Sequence, residues 1–168
     1  MKLRGNVHVF GDDIDTDAII PGPYLKTTDP YQLASYCMFN IDKNFSKRVK
    51  NGDILVAGEN FGCGSSREQA PISIKYTGIR AIVAESFARI FYRNCINIGL
   101  IPITCKDIRK NVKNGDTLEI DLENKKIAIN NNRVLYCEIP TGIAWEILKA
   151  GGLVNYAKMK IKNKKLKE

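Results

Sequence analysis

The sequence predicts an α/β domain in which helices flank a mixed β-sheet. Short apolar runs at 53–57, 80–84 and 100–104 have the length and composition of buried strands, and segments suited to helices separate them. After residue 113, short strand-like segments are joined by Asn-containing turns, which favours antiparallel pairing. A chain of 168 residues is long enough for one domain with a sizeable core.

The chain begins with a predicted strand over residues 3–10. Residues 11–30 are rich in Asp, Gly, Pro and Thr and predict a long loop, and ordered loops of this length often carry function. Asp29-Pro30 favours a helix start, so a short helix is expected over 31–38.

The middle of the chain alternates predicted strands with predicted helices. Gly78 and Gly99 are suited to helix C-termini, and Ser86 is suited to an N-cap. The predicted elements are a strand over 53–57, a helix over 67–77, a strand over 80–84, a helix from 86 to about 98, and a strand over 100–104.

The last third predicts an antiparallel unit followed by a helix. Thr141 is suited to cap that helix, and Gly151-Gly152 to end it. The predicted elements are strands over 117–122, 126–129 and 133–138 and a helix over 142–149.

The net charge of +8 is concentrated in the C-terminal residues. Residues 158–168 contain six lysines and one glutamate, which is +5, so residues 1–157 carry the other +3. We therefore expect a domain over 1–157 and a solvated basic tail over 158–168. An RNA-binding module is the rival interpretation, but it predicts aromatic residues interleaved with Lys and Arg on a sheet face, and the sequence has no such segment.

Hydropathy gives no sign of a membrane or secretory segment. No apolar run approaches the roughly 20 residues that span a bilayer, and residues 1–5 lack an apolar signal-peptide core. The sequence therefore predicts a cytoplasmic protein with neither membrane nor nucleic acid as a partner.

The cysteines and the single histidine predict no metal site within the chain. The five cysteines form no Cys-x-x-Cys pair and their number is odd, which argues against a disulfide framework and a self-contained metal cluster. Four of them are expected to pack as small apolar residues, whereas Cys63 lies between two glycines of a possible site. His8, in an alternating strand, is expected to be packed or on the solvent face rather than catalytic.

The segment over 60–71, Asn-Phe-Gly-Cys-Gly-Ser-Ser-Arg-Glu-Gln-Ala-Pro, is the most informative part of the chain. It follows a predicted buried strand, and Gly62 and Gly64 permit a tight turn and a close approach of the backbone to a ligand. The spacing is not that of a P-loop, a dinucleotide-binding fingerprint or a hydrolase nucleophile elbow.

Ser65, Ser66 and Arg67 then stand where the strand passes into a predicted helix. The free N–H groups of a helix N-terminus favour anions, and Arg adds a two-pronged donor for a carboxylate. This arrangement predicts a site for a small acid. A plain helix N-cap explains the same residues, so spacing alone leaves both interpretations open.

Three segments of the chain stand in a characteristic order and spacing: Asp13–Pro21, Phe61–Glu68 and Ala84–Asn94. Together they resemble the swivelling domain of the aconitase superfamily. The pattern is most similar to the small-subunit families of 3-isopropylmalate dehydratase and methanogen-type homoaconitase, and it spans most of residues 5–103.

The resemblance implies a β/β/α swivelling fold and a hydro-lyase that isomerises a hydroxy acid by dehydration and rehydration. It also implies a [4Fe-4S] cluster that binds the leaving hydroxyl. The chain itself offers no cluster ligands. The resemblance implies a separate large subunit that carries the cluster, and without it the chain is expected to be inactive.

The resemblance also assigns roles to individual residues. Ser65 carries over as the base, and Ser66 and Arg67 carry over as ligands of a substrate carboxylate. Thr16-Asp17 matches the family's Thr-Asp pair, so Thr16 is expected at the substrate. Asp17 is expected to partner a histidine of the cluster-bearing region and to help deliver a proton to the leaving hydroxyl.

Neighbouring acids in the same loop are expected to be structural. Asp13 and Asp15 should hydrogen-bond within the loop, because the Gly and Glu of an EF-hand calcium loop are missing.

Substrate choice is expected in the loop over 21–28, which in the family faces the variable group of the substrate. Lys26 stands where homoaconitase-type subunits carry Arg, and its charge suits a carboxylate arm, although Lys lacks the fixed fork of Arg. Gln69 departs from the His that is common at its position. The sequence interpretation favours 3-isopropylmalate, in leucine biosynthesis, as the more widespread activity. The alternative is the tricarboxylate pair homocitrate and homoisocitrate.

Overall fold

Seven β-strands form one mixed sheet in the computed structural model, which describes residues 1–165. The strands are β1 (Lys2–Val9), β2 (Ile54–Ala57), β3 (Ala81–Ala84), β4 (Ile101–Thr104), β5 (Thr117–Asp121), β6 (Lys126–Ile129) and β7 (Arg133–Tyr136). Their order across the sheet is β4-β3-β2-β1-β5-β6-β7. Strands β1 to β4 are parallel to one another, whereas β5, β6 and β7 pair antiparallel, beginning at β1.

Eight α-helices connect and cover these strands within residues 1–165. They are α1 (Thr16–Ile19), α2 (Pro30–Ser35), α3 (Phe45–Arg48), α4 (Gln69–Thr77), α5 (Arg89–Ile98), α6 (Ile108–Asn111), α7 (Gly142–Lys149) and α8 (Leu153–Lys165), and a 3-10 helix spans Gly22–Lys26.

The core lies on both faces of the sheet, and β2 shows why. Ile54 and Val56 belong to one buried cluster, while Leu55 and Ala57 belong to the other. Successive side chains of a strand point to opposite faces, so a strand covered on both sides must be apolar throughout. Burial on both faces accounts for the continuous apolar runs in the sequence. It also holds rigid the sheet from whose strands the loops extend.

All seven predicted strands are present within one or two residues of their expected bounds, and the mixed α/β fold is confirmed. The expected loop over 11–30 is partly wrong, because it contains α1 and the 3-10 helix. The helix that follows ends at Ser35 rather than at residue 38. The single-turn helices α3 and α6 were not predicted, since four residues carry too little periodicity to detect.

Two predicted helix starts need correction. The helix expected from residue 67 begins at Gln69, so Ser65 and Ser66 precede it by several residues. Ser86 is not an N-cap: its hydroxyl accepts a hydrogen bond from the Asn60 amide at 2.7 Å, and α5 begins three residues later. The Ser86 hydroxyl, which the local sequence suggested as the cap of this helix, therefore bonds the loop that contains Asn60 instead.

The C-terminal lysines continue a helix. Helix α8 runs from Leu153 to Lys165 across the expected boundary at 157/158, so the separate status of the tail stays a prediction. The lysines at 158, 160, 162 and 164 are exposed, as expected. Residues 166–168 of the predicted tail lie outside the described residues.

Candidate functional site

Three loops meet at one end of the parallel half of the sheet. They follow β1, β2 and β3, and neighbouring parallel strands present their carboxyl ends at the same edge. Backbone bridges join Asp15 to Cys63 and Phe61 to Phe87. The amide of Gly62 donates to the carbonyl of Ile14 at 2.8 Å. The three segments that resembled one family are therefore assembled into a single site.

Side chains from the first loop fix the second. Asp12 accepts a hydrogen bond from the Glu59 amide at 2.8 Å, and Asp13 accepts one from the Asn60 side chain at 2.8 Å. Asp15 caps α1 by accepting from the Ala18 amide at 2.7 Å. The prediction that Asp13 and Asp15 serve loop hydrogen bonding is thus confirmed.

Gly62 and Gly64 have the positive φ values that the turn requires, +80° and +85°. A Cβ atom on Gly62 would lie 2.1 Å from Cγ of Phe91, so the loop backbone lies directly on α5. A Cβ atom on Gly64 would meet nothing closer than 3.5 Å. Gly62 is needed for packing and conformation, whereas Gly64 is needed for conformation alone.

Thr16 holds the backbone of Ser65. Its side-chain hydroxyl donates to the Ser65 carbonyl at 2.9 Å, and its amide donates to the Cys63 carbonyl at 3.0 Å. Only 2% of Thr16 is exposed. Thr16 therefore touches the loop that carries the serines, and its expected contact with substrate stays a prediction.

Arg67 forms an ion pair with Asp17. One guanidinium nitrogen lies 2.5 Å from the Asp17 carboxylate and 3.3 Å from the Ile20 carbonyl oxygen, to which it also donates. The Arg67 side chain is 18% exposed, whereas that of Asp17 is 60% exposed. The sequence interpretation gave these residues different partners, and the structure brings them together.

A cavity of about 470 Å³ opens beside these residues. It is lined by Thr16, by Gly62 and residues 64–67 of the second loop, and by the first two turns of α5. Ser65 and Ser66 are exposed, and their hydroxyls make no hydrogen bond within residues 1–165. The helix whose first turn lines the cavity is α5 rather than the expected α4, and its N-cap position makes no side-chain bond.

Sequence reasoning missed the side chains that α5 contributes. Arg89, Arg93 and Asn94 all line the cavity. The third family segment contained them, but nothing in their spacing assigned them a role. Conversely, Lys26 is the exposed last residue of the 3-10 helix and does not line this cavity, so its role in substrate choice stays a prediction.

The thiols are neutral and dispersed. Burial raises the pKa of Cys37 and of Cys105 to about 12 and that of Cys137 to about 11, and it raises the pKa of Cys95 well above its usual value. All four are buried, as expected. Burial, followed by the nearby charges of Asp15 and Asp13, also raises the pKa of Cys63. Within residues 1–165, no three Cys, His, Asp or Glu side chains come together as a metal-ligand set.

His8 is packed rather than exposed to a ligand. Its Nε2 lies 2.8 Å from the Asp53 carboxylate, and its ring meets the Phe45 ring edge-on with centroids 5.3 Å apart. Asp53 also accepts from the Lys50 amide at 2.9 Å. The expectation of a structural histidine is confirmed.

Among residues 1–165, no helix has the length and apolarity needed to cross a bilayer.

Comparisons with known proteins agree with this arrangement. A family model described as the aconitase C-terminal domain matches residues 24–108. The methanogen homoaconitase small subunit of Methanocaldococcus jannaschii is 64% identical over 159 residues, which covers 94% of this chain and 92% of that protein. The 3-isopropylmalate dehydratase small subunit of Halothermothrix orenii is 50% identical over 164 residues and covers 97% and 99%. A crystal structure of a Methanocaldococcus jannaschii 3-isopropylmalate dehydratase superposes with a TM-score of 0.96 at 61% identity and covers 100% of both chains.

Proposed function

The chain belongs to the aconitase C-terminal domain family, and from this premise we propose that it is the small subunit of a two-subunit hydro-lyase. The enzyme isomerises a 2-substituted malate by removing water and adding it back with the hydroxyl on the neighbouring carbon. The observation that supports this most is the meeting of three distant segments at one cavity, with a guanidinium and two serine hydroxyls that have no hydrogen-bond partner in the described part of the chain.

In this proposal, Ser66, Arg67 and the first turn of α5 bind the carboxylates of the substrate. The guanidinium supplies a planar pair of donors, and the amides of a helix N-terminus add to it. Proton removal next to a carboxylate builds negative charge on that group, so fixed donors stabilise the transition state as well as the bound acid.

Ser65 is the proposed base. Its exposed hydroxyl lies at the cavity, and Thr16 holds its backbone. The proton leaves the substrate carbon for the Ser65 oxygen, which must be the alkoxide to accept it, while the C–H electron pair moves toward the carboxylate. That pair then forms the C=C bond as the hydroxyl on the neighbouring carbon departs, protonated, as water. A serine hydroxyl is weakly acidic in water, so the base needs the cationic surroundings that Arg67 and the α5 N-terminus provide.

A large subunit completes the site in this proposal. It holds the [4Fe-4S] cluster, because the described residues of this chain do not offer a ligand set for one. The Asp17 side chain is 60% exposed, so an acid partner can reach its carboxylate. The relatives are named as small subunits, which supports the two-subunit assembly.

Two substrates fit the proposal. The 64% identical relative is named a homoaconitase subunit, which favours a tricarboxylate, and so does the cationic Lys26. Relatives at 47–50% identity and the crystal structure are named 3-isopropylmalate dehydratase, the activity that the sequence interpretation favoured.

The function is tested by purifying the chain with and without its large subunit and assaying both substrates. Ser65→Ala should lower kcat by about 100-fold or more without changing assembly, since it removes the base. The matched control is Ser86→Ala, which removes a loop hydrogen bond outside the cavity and should cost stability instead. Normal kcat in Ser65→Ala would refute the base, and turnover by the isolated chain would refute the two-subunit enzyme.

Substrate choice is tested by Lys26→Ala. If the substrate has a third carboxylate that Lys26 pairs with, kcat/KM for homoisocitrate should fall by about 2–5 kcal/mol in free-energy terms, while that for 3-isopropylmalate should not. Lys47→Ala, on the exposed face of α3, is the control. An unchanged ratio of the two kcat/KM values would show that Lys26 does not select the substrate.

A further inference from the structure

Two arginines on α5 have no partner in the described part of the chain. Arg89 and Arg93 are exposed, line the cavity, and form neither a hydrogen bond nor an ion pair through their side chains within residues 1–165. Arg67, in contrast, is already paired with Asp17. Ile90, between the two arginines in sequence, is 53% exposed and also lines the cavity.

The placement of these arginines is unfavourable for the helix itself. Arg89 is the first residue of α5, where the helix dipole opposes a positive charge. Arg93 is four residues later, so the two guanidiniums lie on the same face and repel each other. Residues that destabilise a helix, with no contact in the same chain to offset the cost, are expected at functional positions.

We propose that Arg89, Ile90 and Arg93 form a docking surface for the large subunit, an inference that rests on the proposed function. Acidic side chains of that subunit pair with the two guanidiniums, and an apolar side chain covers Ile90. The substrate already has donors in Ser66 and Arg67, whereas an exposed apolar residue flanked by cations fits a protein surface of opposite charge. Arginine with an apolar neighbour is a frequent combination at interface centres.

This docking surface also explains how the cavity closes. The arginines and Ile90 line the same cavity as the serines, so a subunit bound there excludes water from the reacting atoms. The charge repulsion in α5 is then relieved only in the assembled enzyme.

The test uses a double variant that carries both Arg89→Glu and Arg93→Glu, and compares it with wild type. Its affinity for the native large subunit, measured by titration calorimetry, should fall by about 100-fold or more, because like charges would face each other. The affinity of wild type should weaken with added salt, whereas that of the variant should strengthen, because salt screens the repulsion between like charges. The variant alone should melt no lower than wild type, because glutamate suits the first turn of a helix.

The matched control is the double variant Arg80→Glu with Arg133→Glu. It makes the same charge change at exposed positions that do not line the cavity, so its affinity should stay within about threefold of wild type, since rim charges outside a contact matter little. Equal affinity of the α5 variant and wild type would overturn the docking surface.

A second result would overturn it in another way. If the α5 variant assembles normally but raises KM, the arginines bind substrate rather than the large subunit. Failure of the proposed function is distinguishable, because the wild-type pair would then form a complex without isomerising either substrate. If the wild-type chains form no complex, both inferences are wrong.

Discussion

Replacing Gly62 and Gly64 separately with alanine tests how the loop that carries Ser65 and Ser66 packs against α5. Both glycines have positive φ, so either alanine costs about 1–2 kcal/mol of left-handed strain. Gly64→Ala should cost only that, because its Cβ meets nothing within 3.4 Å. Gly62→Ala adds a collision with the buried Phe91 ring, since its Cβ would lie 2.1 Å from Cγ. Overpacking typically adds about 1–3 kcal/mol, which gives about 2–5 kcal/mol in all.

Calorimetric melting of the isolated chain measures the difference. At about 2–4 °C per kcal/mol for a domain of this size, Gly64→Ala should lower Tm by roughly 2–8 °C, and Gly62→Ala by clearly more. The assembled enzyme gives a second measurement: Gly64→Ala should lower kcat, because it bends the backbone next to Ser65. Equal Tm values for the two variants would refute the reasoning that the loop lies against Phe91.

Three further predictions concern the loop anchors and the buried groups. Thr16→Val should lower kcat about 10-fold or more and Tm by a few degrees, because the Ser65 carbonyl loses its donor. Thr16→Ser keeps the hydroxyl and should retain the wild-type kcat and Tm. A normal kcat in Thr16→Val would contradict the anchoring role. Asp53→Ala should destabilise the chain by about 1–3 kcal/mol in chemical denaturation and leave the kcat of the assembled enzyme unchanged, because His8 loses its partner away from the cavity. Iodoacetamide should modify Cys63 before any other thiol of the native chain, and its rate should keep rising above pH 9, because the raised pKa keeps the thiol protonated there; a plateau near pH 8 would contradict this.

The sequence predicted the sheet well because each strand carries its own signal. Continuous apolar runs marked strands covered on both faces, and Asn-rich turns marked the antiparallel hairpins. Helix boundaries were harder, because capping depends on tertiary contacts. The Ser86 hydroxyl bonds the Asn60 amide of another loop, and no local pattern distinguishes that use from an N-cap.

The loops that meet at the cavity were predictable from the sequence, but their contacts were not. The family resemblance indicated the loops that carry Ser65 and Asp17, and the structure places them together. The resemblance did not indicate that Thr16 would bond the Ser65 carbonyl or that α5 would line the cavity. Both contacts depend on how separate loops pack together past the ends of the strands. Such contacts join positions about fifty residues apart, for example Thr16 and Ser65, which differ by 49.

In the proposed enzyme, where Arg67 binds a substrate carboxylate, its pairing with Asp17 makes substrate binding an exchange reaction. The guanidinium is already largely withdrawn from water and held by a carboxylate before any acid arrives. An incoming substrate therefore replaces one carboxylate by another, and the affinity reflects the difference between two similar ion pairs rather than the full strength of one. In that proposal, the displaced Asp17 carboxylate, which is expected to help deliver a proton, becomes available when substrate enters, so a single arginine couples occupancy of the site to the availability of Asp17.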